Sequence, residues 1–542
     1  MGQICPICSY RSPSSKAGNG NPPLENAPMT RRTYDYVVVG AGTAGCVLAN
    51  RLSEDGRRSV LLLEAGPRDS NPWIHVPIGY GRTMHHPVLN WGFWTEPDPN
   101  MNGRRVYWPR GRTLGGSSAV NGLIQIRGQP EDFDAWEAAG ADGWNARQVE
   151  PYFQKSLEMV SVTRIAERGE LVDAFIRGCG ELGIPPNDDL SGAKQEGAGY
   201  LHLTTRNGRR CSAAVAYLNP ARKRPNLTVA TGAHAARILF EGSRAVGVQY
   251  GNEKVLASEV ILSAGAIQSP QLLQLSGIGP EKLLSSLGIP VVADLPGVGE
   301  NLQDHLALRL IYKCTRPITT NDELRNAWRK ALTGLKYVLF RRGPMAIGVM
   351  TAGMITRALA DASTPDIQFF LSTVSAEERG ADPHPFSAFT LVYYPMRPES
   401  RGRVRIASAD PLRAPAIQPN YLATEYDRRI MIEGAKLARR LVATPSLAPY
   451  VLEEYKPGRA VSSDAQILEA VRSNGSSGYH AVGTCRMGKD ALAVVDPQLR
   501  VRGVEGLRVV DASVMPLLVS GNTNAATFMI AEKAADLIRQ AC

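Results

Sequence analysis

The sequence predicts an α/β fold that opens on a parallel, doubly wound sheet, and three observations carry that prediction. A β-rich apolar run over residues 34–40 is followed by small and apolar residues at helical spacing over 41–53, then by a second apolar run over 59–64. Strand, tight turn, helix and strand within about 30 residues make a βαβ unit, whose two strands must pair in parallel. Further on, short apolar runs at 227–230, 235–240, 245–250 and 259–263 read as a meander returning to that first sheet.

The elements follow in order. The turn after the first strand is Gly40-Ala41-Gly42-Thr43-Ala44-Gly45. Residues 71–112 are rich in Pro, Trp, His, Asn and Gly without a sustained period and read as extended loop. A helix is expected to begin at Ser269-Pro270, after the meander. Residues 507–511 read as another buried strand and 527–540 as an amphipathic helix. Residues 1–32, rich in Pro, Ser, Gly and Asn, read as a disordered leader without the apolar core of a secretory signal.

Length and composition bound the function. The 542 residues are enough for two to four domains at a prior of ~150 residues each, so a large cofactor can be buried. Apolar residues at 44% and charged residues at 21% describe a globular protein, and no apolar run reaches the ~18 residues of a bilayer span. The net charge of +10 is scattered in short clusters such as Arg209-Arg210 and Arg341-Arg342, a solvated surface rather than a nucleic-acid face. Eight cysteines are too few for a disulfide framework, which points to a reducing, cytoplasmic setting. Cys5 and Cys8 form a lone C-x-x-C without further spaced ligands, and no metal site is expected.

The chemistry starts at the glycine turn. Glycines there let the backbone turn tightly and approach a pyrophosphate at a helix N-terminus. Glu64 ends the second strand 19 residues past Gly45, where a carboxylate can accept hydrogen bonds from ribose hydroxyls. The pair reads as a dinucleotide site. Two further small-residue segments, 111–122 (GRTLGGSSAVNG) and 263–273 (SAGAIQSPQLL), permit the same close approach.

Those segments, with 296–305 (PGVGENLQDH), 479–488 (YHAVGTCRMG) and 511–524, resemble in order the signatures of the glucose-methanol-choline (GMC) oxidoreductases, and the likeness runs from about residue 34 to 538. The resemblance implies a Rossmann-like FAD-binding domain (33–152, 196–304 and 475–542) interleaved with an α+β substrate domain (153–195 and 305–474) built on an antiparallel sheet. It implies FAD contacts at Gly40, Gly42, Thr43, Ala44, Gly45, Glu64, Ala65, Arg112, Gly115, Gly116, Ser117, Asn121, Gly122, Leu123, Ile124, Ala235, Ala264, Gly265, Asp511, Ala512, Thr523 and Asn524. Some members tether the flavin through a histidine five residues after the first glycine of the Gly-Gly pair; Val120 stands there, so the FAD is expected to be non-covalent.

The resemblance also places the catalytic base at His480, since imidazole is the usual base near neutral pH, and its partner at Asn522, whose carboxamide can hold a developing alkoxide. The implied reaction takes an alcohol to its carbonyl: His480 accepts the hydroxyl proton while hydride passes to flavin N5. Ala481 and Ala526 stand where prolines are common, which loosens the backbone but removes no functional group. Choline-acting members carry histidine at the position of Phe370, and a phenyl ring cannot hydrogen-bond a hydroxyl. The expected substrate is therefore a primary aliphatic or aromatic alcohol, with choline as the alternative. Hydroxynitrile lyase or fatty-acid photodecarboxylase chemistry on the same scaffold is the other alternative. Phe370, Trp91 and Phe93 are expected in the substrate pocket, and the Trp-rich loop around them is either a water-excluding lid or an ordinary packed loop. Oxygen, a quinone or another carrier would take the electrons; no nucleic acid and no integral membrane span is expected.

Overall fold

The computed structural model describes residues 33–541; the leader and the Cys5/Cys8 pair lie outside the described residues. The apolar run at the start forms the strand Thr33–Val39, and its four last residues are buried on both faces, as a central parallel strand requires. It pairs in parallel with Val60–Glu64 on one side and Glu253–Leu262 on the other. Leu227–Thr231 extends the sheet beyond Val60–Glu64, and Leu507–Val509 extends it beyond Glu253–Leu262. The order 227–231, 60–64, 33–39, 253–262, 507–509 reverses direction of growth at the first strand, and ligands of such sheets bind outside the carboxyl ends of the strands at that point. Five segments far apart in sequence therefore reach one edge: Gly40, Glu64, residues 233–235, Ala264 and Asp511.

Several element boundaries differ from expectation for definable reasons. The strand expected over 259–263 runs Glu253–Leu262 because its first half pairs antiparallel with Arg244–Tyr250, which in turn pairs with Ala235–Glu241. The helix expected from Ser269-Pro270 begins at Gly265 instead and keeps Pro270 inside it. Pro270 cannot donate to the carbonyl of Ala266. Thr484 Oγ1 donates to that carbonyl instead, at 2.7 Å, so no backbone acceptor is left bare. Residues 71–112 are not wholly irregular: short helices at Pro72–His75 and Tyr80–Thr83 and a two-residue pairing of Phe93–Trp94 with Tyr107–Trp108 break them up. The last helix starts four residues earlier than its apolar period suggests, at Thr523.

A second sheet is antiparallel, in the order Val451–Lys456, Leu306–Cys314, Ala388–Pro395, Ile367–Ser372, Met350–Thr356, Gly197–Tyr200. Its period of two decides which side chains meet the site. Thr390, Val392 and Tyr394 face a large cavity together with Phe370 and Ser372. Tyr393, on the opposite face, donates to the carbonyl of Met431 in the helix Glu425–Val442. Gly434 of that helix approaches the Tyr393 ring so closely that a Cβ would sit 2.4 Å from it. The cavity thus has the carboxyl edge of the first sheet on one side and a face of the second sheet on the other.

Candidate active site

The cavity holds about 1130 Å³, above the ~300–1,000 Å³ of a typical single small-molecule pocket. At one end two helix N-termini converge. The helix Thr43–Leu52 has Gly42 at its N-cap and the helix Thr523–Gln540 has Asn522; neither cap side chain bonds the free amides of its first turn. Gly42, Thr43, Ala44, Thr523 and Asn524 all line the cavity there. Uncapped N–H groups with the positive end of the helix dipole are a ready cradle for a diphosphate. Thr43 Oγ1 donates to Asn524 Oδ1 at 2.8 Å and fixes the two termini together.

The glycines carry the close approaches. Gly40 has φ +99°, and a Cβ on it would meet the Ser263 carbonyl at 2.5 Å; Gly116 has φ +52°, with Gly42 Cα 2.6 Å from such a Cβ. Glu64 accepts from the amides of Ala41 at 3.0 Å and Gly66 at 2.8 Å, so it also clamps the turn, a task its spacing did not announce. Burial pushes its carboxyl up to about 7 against those two amides and Arg112. Asp511 is spent on structure: it accepts from Gly265 N–H at 2.8 Å, Ser269 Oγ at 2.5 Å and Ser513 N–H at 2.8 Å. The residues present fit an extended dinucleotide: a diphosphate cradle, a carboxylate at the ribose end, and small residues along the path to the second sheet.

Most of the expected contact residues line this path, including Ala65, Ser117, Asn121, Gly122, Leu123, Ile124, Ala235, Gly265 and Ala512. Three do not. A Cβ on Gly45 would lie 1.8 Å from the Gly40 carbonyl, so that glycine serves the packing of helix on turn. The Gly115 amide donates to the Ala41 carbonyl at 2.8 Å, tying two glycine segments together. Arg112 turns away to stack over Trp91 at 4.8 Å. Val120 lines the cavity with a hydrocarbon side chain.

At the other end stand His480 and Asn522, with His480 Nε2 and Asn522 Nδ2 3.0 Å apart on the cavity wall. Sequence reasoning found this pair but missed His305. His305 Nδ1 lies 2.8 Å from His480 Nδ1, and His305 Nε2 lies 2.9 Å from the Met396 carbonyl. A carbonyl only accepts, so His305 carries its proton on Nε2, its Nδ1 is a bare acceptor, and His480 must donate from Nδ1. That leaves the lone pair of His480 on Nε2, facing the cavity and Asn522. The Asp304 carboxylate holds the His480 backbone amide at 2.6 Å, and Tyr394 stacks on His305 at 4.5 Å. Burial, then His305, Arg110 and Arg379, hold the His480 imidazolium well below the usual histidine range; burial takes His305 down to about 4. The Asn522 carbonyl oxygen is buried without a partner among the described residues.

Around this pair, Phe370 and Trp91 line the cavity, whereas Phe93 does not: it is buried behind Trp91, stacked on it at 5.9 Å. The alternation in the strand Phe93–Trp94 sends Phe93 inward to the core. Five arginines line the cavity, Arg82, Arg110, Arg309, Arg325 and Arg379, and three of them are tied to backbone carbonyls near His480 and the second sheet. Arg110 donates to the Tyr479 carbonyl at 2.8 Å, Arg379 to the Ser477 carbonyl at 2.9 Å, and Arg309 to the Ala376 carbonyl at 2.8 Å. None of the three forms a close ion pair among the described residues, although Asp304 acts on Arg110 and Glu377 on Arg309; burial together with Arg379 brings Arg309 down to about 10.

Profiles described as GMC oxidoreductase match residues 34–307 and 398–531 of this chain. An alcohol dehydrogenase [acceptor] of Pseudomonas putida is 42% identical, over 93% of this chain and 95% of that protein. The mitochondrial choline dehydrogenase of Homo sapiens is 44% identical, over 94% and 90%. Among solved structures, pyridoxine 4-oxidase from Mesorbium loti superposes with a TM-score of 0.85 at 32% identity, covering 94% of this chain and 99% of that one.

Proposed function

The chain belongs to the GMC oxidoreductase family and is an FAD-dependent enzyme that oxidises alcohols; from that premise we propose that His480 is its general base, Asn522 the partner that holds the alcohol oxygen, and its substrate a primary aliphatic or aromatic alcohol. The observation that carries the roles is the hydrogen-bonded chain Met396–His305–His480–Asn522, which leaves a basic lone pair on His480 Nε2 beside a carboxamide donor. An alcohol that displaces the direct Asn522–His480 contact can pass its proton to Nε2 while the Asn522 amide stabilises the charge that develops on oxygen. Bound along the cavity, the flavin supplies the two-electron acceptor for the hydride. The surroundings of His480 hold its imidazole neutral, and Phe370, Val392 and Tyr394 wall the second-sheet side.

The preference against choline rests on charge. Arg110, Arg309 and Arg379 line the cavity without a close ion pair among the described residues, with Glu378 and Asp382 in the same lining, and Phe370 supplies no polar group at the wall. A quaternary ammonium held beside His480 would feel the same positive field of Arg110 and Arg379 that disfavours the imidazolium there, which opposes it. Aromatic rings at Tyr394 and Tyr479 favour it only weakly by comparison.

Anaerobic mixing with benzyl alcohol, octanol and choline tests both parts. The alcohols should bleach the flavin absorbance faster than choline does. His480→Ala should keep its flavin yet slow that bleaching by ~10²–10⁴-fold. Reduction by choline well ahead of the other alcohols would overturn the substrate assignment. Undiminished reduction in His480→Ala would overturn the base.

A further inference from the structure

The helix Ala327–Phe340 (AWRKALTGLKYVLF) is folded but turned inside out. It is well made locally: Asn326 caps it, its side chain accepting from the amides of Trp328 and Arg329. It is anchored by Tyr337, whose hydroxyl donates to the Gly208 carbonyl at 3.1 Å, and Tyr337 is its one buried residue. Trp328, Leu332, Leu335 and Leu339 follow one another at steps of four, three and four residues. They form a single stripe on the side opposite Tyr337. Their exposures are 71%, 46%, 54% and 61%, and Phe340 beside them is 67% exposed. Contiguous apolar patches on a protein surface mark interaction sites.

The charges around the stripe choose the partner. Arg325, Arg329, Lys330, Lys336, Arg341 and Arg342 lie on or next to the helix, and no Asp or Glu occurs from residue 324 to 342. Among the described residues, Lys336 alone of the six reaches ion-pair distance of an acid, Glu167 at 3.9 Å, while Arg329 and Lys336 also act on Glu323 before the helix. A second copy laying the same face on itself would bring two such cation sets together, which a symmetric contact could not relieve. An apolar stripe with an exposed tryptophan and flanking cations fits the interface of a bilayer that carries negative headgroups. Leu324, Arg325, Lys330 and Thr333 line the cavity, and Lys330 and Thr333 share the helix face of Tyr337, so the helix lies against the cavity with its apolar stripe turned outward.

We propose that this helix docks the enzyme, as a peripheral protein, on an anionic membrane surface through its outward apolar stripe. The catalytic reading above is independent of it, because the test measures binding. Purified holoenzyme is sedimented with vesicles of phosphatidylcholine alone and of phosphatidylcholine with phosphatidylglycerol. Two variants run alongside: Leu335→Ser/Leu339→Ser/Phe340→Ser, which removes the exposed apolar side chains of the last turns, and Arg329→Gln/Lys336→Gln, which removes charge. The parent protein should partition at least about tenfold more onto the anionic vesicles, less so as salt is raised; each variant should lose about tenfold. Oxidation of a short water-soluble alcohol with a dye acceptor should be unchanged in both variants. A parent protein that stays in the supernatant, or a serine variant that sediments as well as the parent, overturns the proposal. So does a concentration-dependent dimer in velocity sedimentation that the serine variant dissolves, since a second copy would then cover the face.

Discussion

At the scale of the residue, the site turns on which nitrogen of His480 is free. The Met396 carbonyl sets the proton of His305, and His305 sets that of His480. His305→Phe should therefore keep flavin binding but lose part of the ~10²–10⁴-fold that a general base contributes. His305→Gln should restore most of it, because a carboxamide can accept from His480 Nδ1 and donate to Met396. Equal rates for the Phe variant and the parent in stopped-flow flavin reduction would remove His305 from the argument. The pH dependence follows from the same surroundings: a base whose charged form is disfavoured stays neutral, and so competent, into acid. The rate of flavin reduction should hold level as pH falls past ~6.5, the ordinary histidine value; a half-maximum at or above that pH would contradict it. His480 and Asn522 were legible in the sequence because they sit inside long motifs. His305 closes one such motif, but its role depends on a contact 175 residues away, which no local pattern encodes.

At the scale of the element, the two helices whose uncapped N-termini converge on the cavity are clamped at their buried flank. Arg51 of the first meets Glu532 of the last at 2.8 Å, and Tyr217 donates to the same carboxylate at 2.7 Å. Glu532 is fully buried, and among the described residues its ion-pair partners are Arg51 and, at 3.6 Å, Lys155. Removing one member leaves the other charge stranded, and Glu532→Ala should cost about 3–5 kcal/mol in chemical denaturation. Arg51→Met/Glu532→Leu should recover much of that loss, since a packed apolar pair of similar volume is often no worse. A single variant as stable as the parent would show that the clamp contributes nothing. The helix Thr43–Leu52 was legible from its glycine turn and apolar spacing, and the early start at Gly265 was not. Pro270 signalled a boundary, and only Thr484, more than two hundred residues on, makes a proline tolerable there. The antiparallel sheet was expected from family likeness alone, because its strands between residues 306 and 456 are separated by long insertions that hide the register.

At the scale of the whole molecule, the cavity is walled by two buried clusters, one under the parallel sheet and one under the antiparallel sheet. Its dinucleotide end gathers segments near residues 40, 64, 116, 235, 264, 511 and 523. A ligand touching so many separate segments binds the folded chain and not the unfolded one, so it must stabilise the whole fold by mass action. Whether the effect is visible depends on the flavin being free to leave, which Val120, a valine on the cavity wall, supports. After acid precipitation the flavin should appear in the supernatant. Protein stripped of flavin under milder conditions should then gain stability as FAD is added back, by about 2.7 kcal/mol at a hundredfold excess over Kd, and its melting temperature should rise with FAD concentration. Flavin that stays with the acid pellet would mean a covalent bond to some side chain other than Val120. A melting temperature indifferent to added FAD would mean that the seven segments hold their arrangement without it.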